Sequence, residues 1–491
     1  MKNKKSVNNK VSGKNKETVS NSFAMISAVC LMSLVPLYFE QKYFNILQAK
    51  MHVFLVVSIL SIIVGAGCII VTKSVGKLVG KPWMYEVGIL IMGCVSVISC
   101  VLADNKSAAF WGHIGWGIGT ASILCAVLLY LFMARFLVPS ANMWLIPMAV
   151  NAFIFICGIL HSSGIDVFKM HENIASDPHY YISTIGNINW YSGYLCLIIP
   201  FFAVFFINSE TKGTSILLGA FLALGFMNVL LCRSDSIFAG AGMSLLILMP
   251  YVMKDWRRII RLSYLIAIMG VCCLAFALLP PFSEIRVGLD GMTSILSDVR
   301  PGIALVVLGI IVFVFGKYAW NRIAEKGQKA IAIVLEIVLI MAAVGAAVFT
   351  VMSFDNEWGT GRGQLWIGSV EIFKNWGIKD KLVGIGPEML YEGYSNYNEM
   401  TGKVYLASHS EPIQTLLTLG VIGIVGWLLV WGGLFTSFFK KKVWKHDWVI
   451  YFIPIWCYFW QSLFNSMMAT NLAVLCVFFA CYTRELSSDK S

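Results

Sequence analysis

The sequence predicts an all-α polytopic membrane protein with about fourteen transmembrane helices and one long, structured extracytoplasmic loop. Hydrophobic residues make up 58% of its 491 positions and charged residues only 13%, with a mean hydropathy of +0.76. Water cannot be the main solvent of such a chain. Its apolar runs recur at the length that a helix rising 1.5 Å per residue needs to cross roughly 30 Å of hydrocarbon. The formal charge of +11 comes from short Lys/Arg clusters between those runs, a pattern that signals topology and argues against a nucleic-acid partner.

The runs fall at 23–40, 51–72, 83–103, 113–134, 142–160, 187–207, 214–231, 236–253, 260–280, 301–316, 329–351, 412–438, 447–465 and 467–483. They divide the chain into a Lys-rich tail (1–22), a bundle of about eleven helices (23–351), a large loop (352–411), three last helices (412–483) and a short tail (484–491). The first run has no clear small-residue cleavage site and is expected to be an anchor, not a signal peptide. With a cytoplasmic N-terminus, the cytoplasmic segments hold 25 of the 37 Lys and Arg residues and the outer segments 12. The positive-inside bias therefore predicts a plasma-membrane protein with both termini in the cytoplasm. The clusters Lys73/Lys77/Lys81, Lys254/Arg257/Arg258/Arg261 and Lys440/Lys441/Lys442/Lys445 carry most of it. The 13 Cys are scattered mostly through apolar segments without CxxC spacing and predict no disulfide framework.

Long loops in compact proteins are usually functional, and two outer segments are long, 161–186 and 353–411. The second is too polar for lipid and too rich in Trp, Tyr and Ile for a disordered linker. Trp366, Val370 and Phe373 recur at helical spacing, predicting a short amphipathic helix near the interface. Arg362 precedes it in the glycine-rich GTGRG, where backbone N–H groups and a guanidinium can cradle a phosphate. His409 lies just before Ser410, an expected N-cap, and Pro412, so it is expected at the outer mouth of the bundle. There a helix N-terminus tends to keep imidazole neutral.

Arg233 stands in a very short outer turn, where a cation needs a partner: neighbouring Asp235 or an anionic substrate. Arg286 and Arg300 are further outer cations. Glu336 interrupts an apolar run, and intramembrane acids are functional candidates. The Trp and Tyr side chains of the long loop (Trp358, Trp366, Trp376, Tyr391, Tyr394, Tyr397, Tyr405) suit an interfacial belt or stacking on sugars. His161, His171, His179 and Asp177 match no familiar ligand spacing, and no metal site or cofactor is expected.

GNINWYSGYL at 186–195, CRSDSIFAGAG at 232–242, RGQLW at 362–366, LVGIGPEML at 382–390 and HSEPIQTLLTLGVIG at 409–423 together resemble the O-antigen ligase and O-antigen polymerase superfamily. The resemblance implies a membrane glycosyltransferase that uses a polyprenyl-diphosphate-linked glycan donor and a glycan or lipid acceptor, alongside other envelope polysaccharide assembly proteins. By that resemblance His409, Arg362 and Arg233 are catalytic; Asn187, Asn189, Trp366, Arg286 and Arg300 are expected to bind the substrate. The chemistry needs an acceptor hydroxyl made nucleophilic by a base and a diphosphate held by cations, without a metal, inverting the anomeric centre. The alternatives are a polysaccharide or lipid-linked sugar transporter or flippase, for which Glu336 speaks, and a scaffold of an envelope assembly.

Overall fold

The computed structural model describes residues 2–78, 80, 82–112, 116–172, 180–287, 289, 291–402 and 405–488. Lys81, Asp177 and His179 lie outside these residues. The chain folds into helices almost throughout; the described strands are the pair Tyr181–Ile182 and Gly186–Asn187. In hydrocarbon every backbone N–H and C=O needs an internal partner, which the helix provides.

Each of the fourteen apolar runs lies on a helix. Among the described residues, 11 helices are long and apolar enough to cross a membrane, and Thr120–Phe136 and Ser236–Val252 are apolar but shorter. The molecule is a multi-pass membrane protein. The polar start is no separate element, because one helix runs from Lys2 to Leu37 and its apolar part begins at Thr18.

Ile188–Ile207 and Ala469–Ser487 occupy the centre, with 83% of their apolar stretches buried, whereas Glu325–Met352 buries none and packs against Ser236–Val252 at the periphery. Many polar side chains inside the bundle are paired, as burial without water favours. Tyr194 donates to Asn151 Oδ1 at 2.8 Å and Tyr191 to Asn228 Oδ1 at 3.0 Å. Glu86 takes Arg135 at 2.7 Å and the Tyr130 hydroxyl at 3.2 Å. Lys50 caps the carbonyls of Pro36 and Tyr38 at 2.7 and 2.6 Å.

The helix Glu411–Lys440 is broken at Gly420, whose φ of 68° and ψ of −166° leave helical space. A break inside a membrane helix frees carbonyls that protein groups must satisfy. Ile385 N–H donates to Leu417 O at 3.2 Å and Gly386 N–H to Thr418 O at 3.1 Å, while the Ser99 hydroxyl reaches Thr418 O at 2.8 Å. Only glycines permit this approach: a Cβ on Gly384 would lie 2.2 Å from Thr418 C, and one on Gly420 2.3 Å from Leu382 C. The LVGIGPEML stretch is therefore a strap docked across the break.

The rest of 353–411 folds as the short helices Trp358–Asn375, Ile378–Val383, Leu390–Gly393 and Ser395–Thr401. Leu365, Leu390 and Tyr394 bury against Leu417 of the broken helix. The buried face of Trp358–Asn375 differs from the expected one. Val370 is 44% exposed, and Leu365, Gly368 and Ser369 face inward instead. A Cβ on Gly368 would meet the Tyr397 ring at 2.4 Å, and the Ser369 hydroxyl bonds Tyr394 at 2.7 Å. Small residues there seat tyrosine rings, so Tyr394 and Tyr397 are internal packing groups.

Gly384→Ala adds a methyl where the strap meets the break and forces alanine into a φ of +77°. The variant is expected to lose about 1–3 kcal/mol of stability, read as a lower melting temperature of the detergent-purified protein. Gly242→Ala, whose Cβ meets nothing within 4 Å, is expected to melt like wild type.

Candidate active site

Three consecutive residues with positive φ, Gly359 (61°), Thr360 (62°) and Gly361 (88°), turn the chain just before Arg362. Gly363 follows with the Asp355 carbonyl so close that a Cβ would lie 1.8 Å from it, so the glycines around Arg362 serve a tight turn. Gln364 N–H is already used by Asn356 O at 3.0 Å. The backbone cradle expected at this helix start is thus partly occupied, and the guanidinium is its remaining charged group. Arg362 Nη2 donates to Asn465 Oδ1 at 3.4 Å, and Asn465 Nδ2 donates to Ser236 Oγ at 2.8 Å.

His409 has a φ of +51°, a conformation that costs energy for a non-glycine residue and persists where neighbours impose it. The neighbours are visible. Trp366 Nε1 donates to Ser408 O at 2.9 Å, and Gln414 Oε1 accepts both the Ser408 N–H (3.1 Å) and its hydroxyl (3.2 Å). Ser408 with Gln414, not the Ser410 side chain, fixes the start of the broken helix; Ser410 makes no side-chain cap bond. The imidazole sits edge-on to Trp116 at 5.5 Å, and Trp116 is edge-on to Trp190 at 5.0 Å. Burial first, and then the positive charge of Arg362, hold His409 down to about 4. The ring is neutral at ordinary pH, for a reason other than the helix terminus.

Two acids complete the neighbourhood. Glu388, in the strap, is 6% exposed with a φ of +61° and accepts the Trp116 N–H. Burial pushes its carboxyl up to about 7, against the opposing pull of the Trp116 and Ile118 backbone N–H groups. Glu411 is 5% exposed and accepts the Tyr458 hydroxyl. Both acids, with Gln414, Thr415, Thr418, Tyr130 and Ser466, line a cavity whose wall is otherwise mostly apolar, including Met92, Val127, Trp431, Leu475 and Phe479. Its volume is about 200 Å³.

Arg233 borders a second cavity, with His161, His171, Tyr181, Ser283 and Glu284. Its backbone also has a positive φ, 48°. A polar chain joins the two sides. Asn189 Oδ1 accepts the Ser234 hydroxyl at 2.8 Å, Ser234 and Ser236 hydroxyls lie 3.0 Å apart, and Ser236 meets Asn465, the partner of Arg362. Asp235 directs its carboxylate to the Met292 and Thr293 N–H groups, at 3.1 and 3.4 Å.

The structure brings His409, Arg362 and Trp366 together and ties Asn189 to Arg362 through Ser234, Ser236 and Asn465, with Arg233 next to Ser234 in the chain and at the second cavity. It gives the others local work. Asn187 caps its own helix by accepting Asn189 N–H. Arg286 donates to the Phe276 and Leu279 carbonyls that end a helix. Arg300 is 88% exposed and holds Asp298 at 2.9 Å. Glu388, Trp116 and Asn465 were not singled out by the sequence as site residues; Glu388 lies inside a stretch already marked by the resemblance, but the packing that couples it to Trp116 is tertiary.

Residues 285–428 match the family model described as O-Antigen ligase. The matched segment spans 144 of the 491 residues and supports the likeness to the O-antigen ligase and polymerase superfamily. No curated protein matches the chain. The O-antigen ligase segment includes Arg362, Trp366, the strap with Glu388, His409, Glu411 and the break at Gly420; Arg233, Asn187 and Asn189 fall outside it. The match supports an O-antigen ligase-type function in polysaccharide assembly.

The two titrating groups of this domain oppose each other. Protonating His409 costs stability as pH falls from its ordinary 6.5 through about 4, and ionising Glu388 costs stability as pH rises from 4.5 through about 7. His409→Gln is expected to leave a melting temperature that falls between pH 4.5 and 7 more steeply than in wild type, and Glu388→Gln one whose slope across that window is more positive than in wild type. Melting curves across that window check both signs.

Proposed function

We propose that this protein is a membrane glycan polymerase or ligase that transfers a glycan from an undecaprenyl-diphosphate-type carrier to an acceptor hydroxyl at the outer face of the plasma membrane. The observation that carries the reading is the meeting of His409 and Arg362 within the O-antigen ligase segment, beside a largely apolar cavity that Glu388 and Glu411 help to line. Lys/Arg bias supports cytoplasmic termini and an outer loop. Thr120–Phe136, Ser236–Val252 and Val449–Ser462 are read as shorter crossings, giving fourteen in all, with residues 352–411 as the large extracytoplasmic loop.

In this reading the apolar cavity takes the isoprenoid tail and the diphosphate lies against Arg362. The acceptor oxygen attacks the anomeric carbon, the bond from that carbon to the phosphate oxygen breaks, and the carrier diphosphate leaves, with inversion. His409 takes the hydroxyl proton. A ring held at about 4 is a weak base in the free protein. The incoming diphosphate neutralises Arg362 and adds negative charge, which raises the imidazole toward working pH. The donor thus activates its own base, and no metal is needed for the step. Arg233, beyond the serine chain, serves the glycan or a phosphate oxygen at the lip of the second cavity. The acceptor is a second carrier-linked repeat in a polymerase and a different lipid or wall polymer in a ligase.

The transport reading loses its main support. Glu336 lies on the peripheral helix Glu325–Met352, and its Oε2 has no hydrogen-bond partner among the described residues. It lines neither cavity described above.

His409→Ala is expected to lower transfer by about 10²–10⁴ in reconstituted vesicles supplied with lipid-linked donor, without loss of donor binding. Arg362→Ala is expected to weaken donor binding as well; Arg300→Ala leaves both unchanged. Full transfer by His409→Ala would remove the base assignment.

A further inference from the structure

We propose that His161, Asp166 and His171 form a binding site for a zinc-class divalent ion, bordering the cavity that Arg233 lines. His161 ends one membrane helix, and Asp166 and His171 lie in the turn that follows. Folding brings one ligand atom of each within 4.8 Å of the others. His161 Nε2 lies 3.2 Å from Asp166 Oδ1, and His171 Nδ1 3.0 Å from Asp166 Oδ2. Donors about 2.0–2.2 Å from a tetrahedral ion stand at about such separations from one another.

A second observation points to a ligand. The His161 side chain is 3% exposed, and its Nε2 faces Asp166 Oδ1 at 3.2 Å without the alignment of a good hydrogen bond. A buried ring nitrogen aimed into a cluster of donors, without a bond of its own, is an open coordination position. The outer contacts also suit metal ligands, whose second ring nitrogen usually donates to a fixed acceptor. His171 Nε2 lies 3.2 Å from Tyr181 O, which accepts its proton and frees Nδ1 for the ion. His161 Nδ1 lies 3.0 Å from the Tyr43 hydroxyl, which in turn donates to Ser183 O. With metal on Nε2, His161 carries its proton on Nδ1 and gives it to Tyr43, which requires the Ser183 N–H to turn away from Nδ1. Without metal, Ser183 N–H, 3.1 Å away, gives to Nδ1 and the proton moves to Nε2.

The Asp166 carboxylate is already held in place: Oδ1 accepts the Met170 N–H at 2.8 Å and Oδ2 the His171 N–H at 2.9 Å. Two imidazoles and one carboxylate suit zinc better than magnesium or calcium, which prefer all-oxygen shells. Three protein ligands leave a fourth position. Both imidazoles border the Arg233 cavity, so that position faces it, filled by water or by an oxygen of whatever enters. The ion stands apart from His409 and takes no part in the base step.

The test uses full-length protein carrying a tag without histidine, stripped with chelator and titrated with Zn²⁺ by calorimetry, with Co²⁺ absorption as a second readout. Wild type is expected to bind about one ion per chain and to give the visible bands of tetrahedral cobalt. Asp166→Asn and His171→Ala are expected to lose both signals, and Tyr43→Phe to weaken binding about 10–100-fold. His409→Ala binds as wild type, so the result is independent of the transfer reading. Folded wild type that takes up no ion, or a folded Asp166→Asn/His171→Ala double variant that binds as well as wild type, overturns the proposal.

Discussion

The constraint on which the site depends is the need to satisfy backbone carbonyls where a membrane helix stops being a helix. Gly420 breaks the helix Glu411–Lys440, and the strap from Leu382 to Gly386 repairs the break with two N–H groups, at 3.2 and 3.1 Å. Once the strap is docked, Glu388 follows it into the protein and holds Trp116. Trp116 then meets His409 edge-on, at the N-terminal end of the same broken helix. A hydrogen-bonding requirement deep in the bundle thus decides where a loop histidine sits. Without the break the LVGIGPEML stretch would have no backbone partner, and residues 353–411 would lose their attachment to the helix they cover.

The electrostatics follow from the same packing. An imidazole and a guanidinium held together without solvent repel, and the imidazole yields by staying neutral. That arrangement is unfavourable for a resting cation pair and suitable for an anion that arrives between them. Positive φ at Arg233, Glu388 and His409 indicates that the surroundings hold backbone strain at these positions. Such strain fits preorganised sites better than flexible loops.

Much of the fold was legible because apolar length is a strong signal: each of the fourteen runs lies on a helix. His409, Arg362 and Trp366 were legible through their place in the loop and the resemblance. Arg286 and Arg300 looked equivalent to them as outer cations, but a helix end and an adjacent acid occupy their guanidinium groups. Periodicity misjudged the face of Trp358–Asn375 because it favours large apolar residues. Here Gly368 and Ser369 are buried since tyrosine rings from the following segment pack over them. Asp166 escaped notice because its proximity to two histidines is created by a turn, not by a recognisable spacing.

The central claim is that the cavity beneath His409 receives the lipid carrier. The direct measurement is photocrosslinking to a radiolabelled lipid-linked donor, from a photoreactive residue at Leu475, in the cavity wall, or at Val348, on the peripheral helix. The account predicts labelling from 475, competed by unlabelled donor, and only background from 348. Equal, uncompeted labelling from both positions would contradict it.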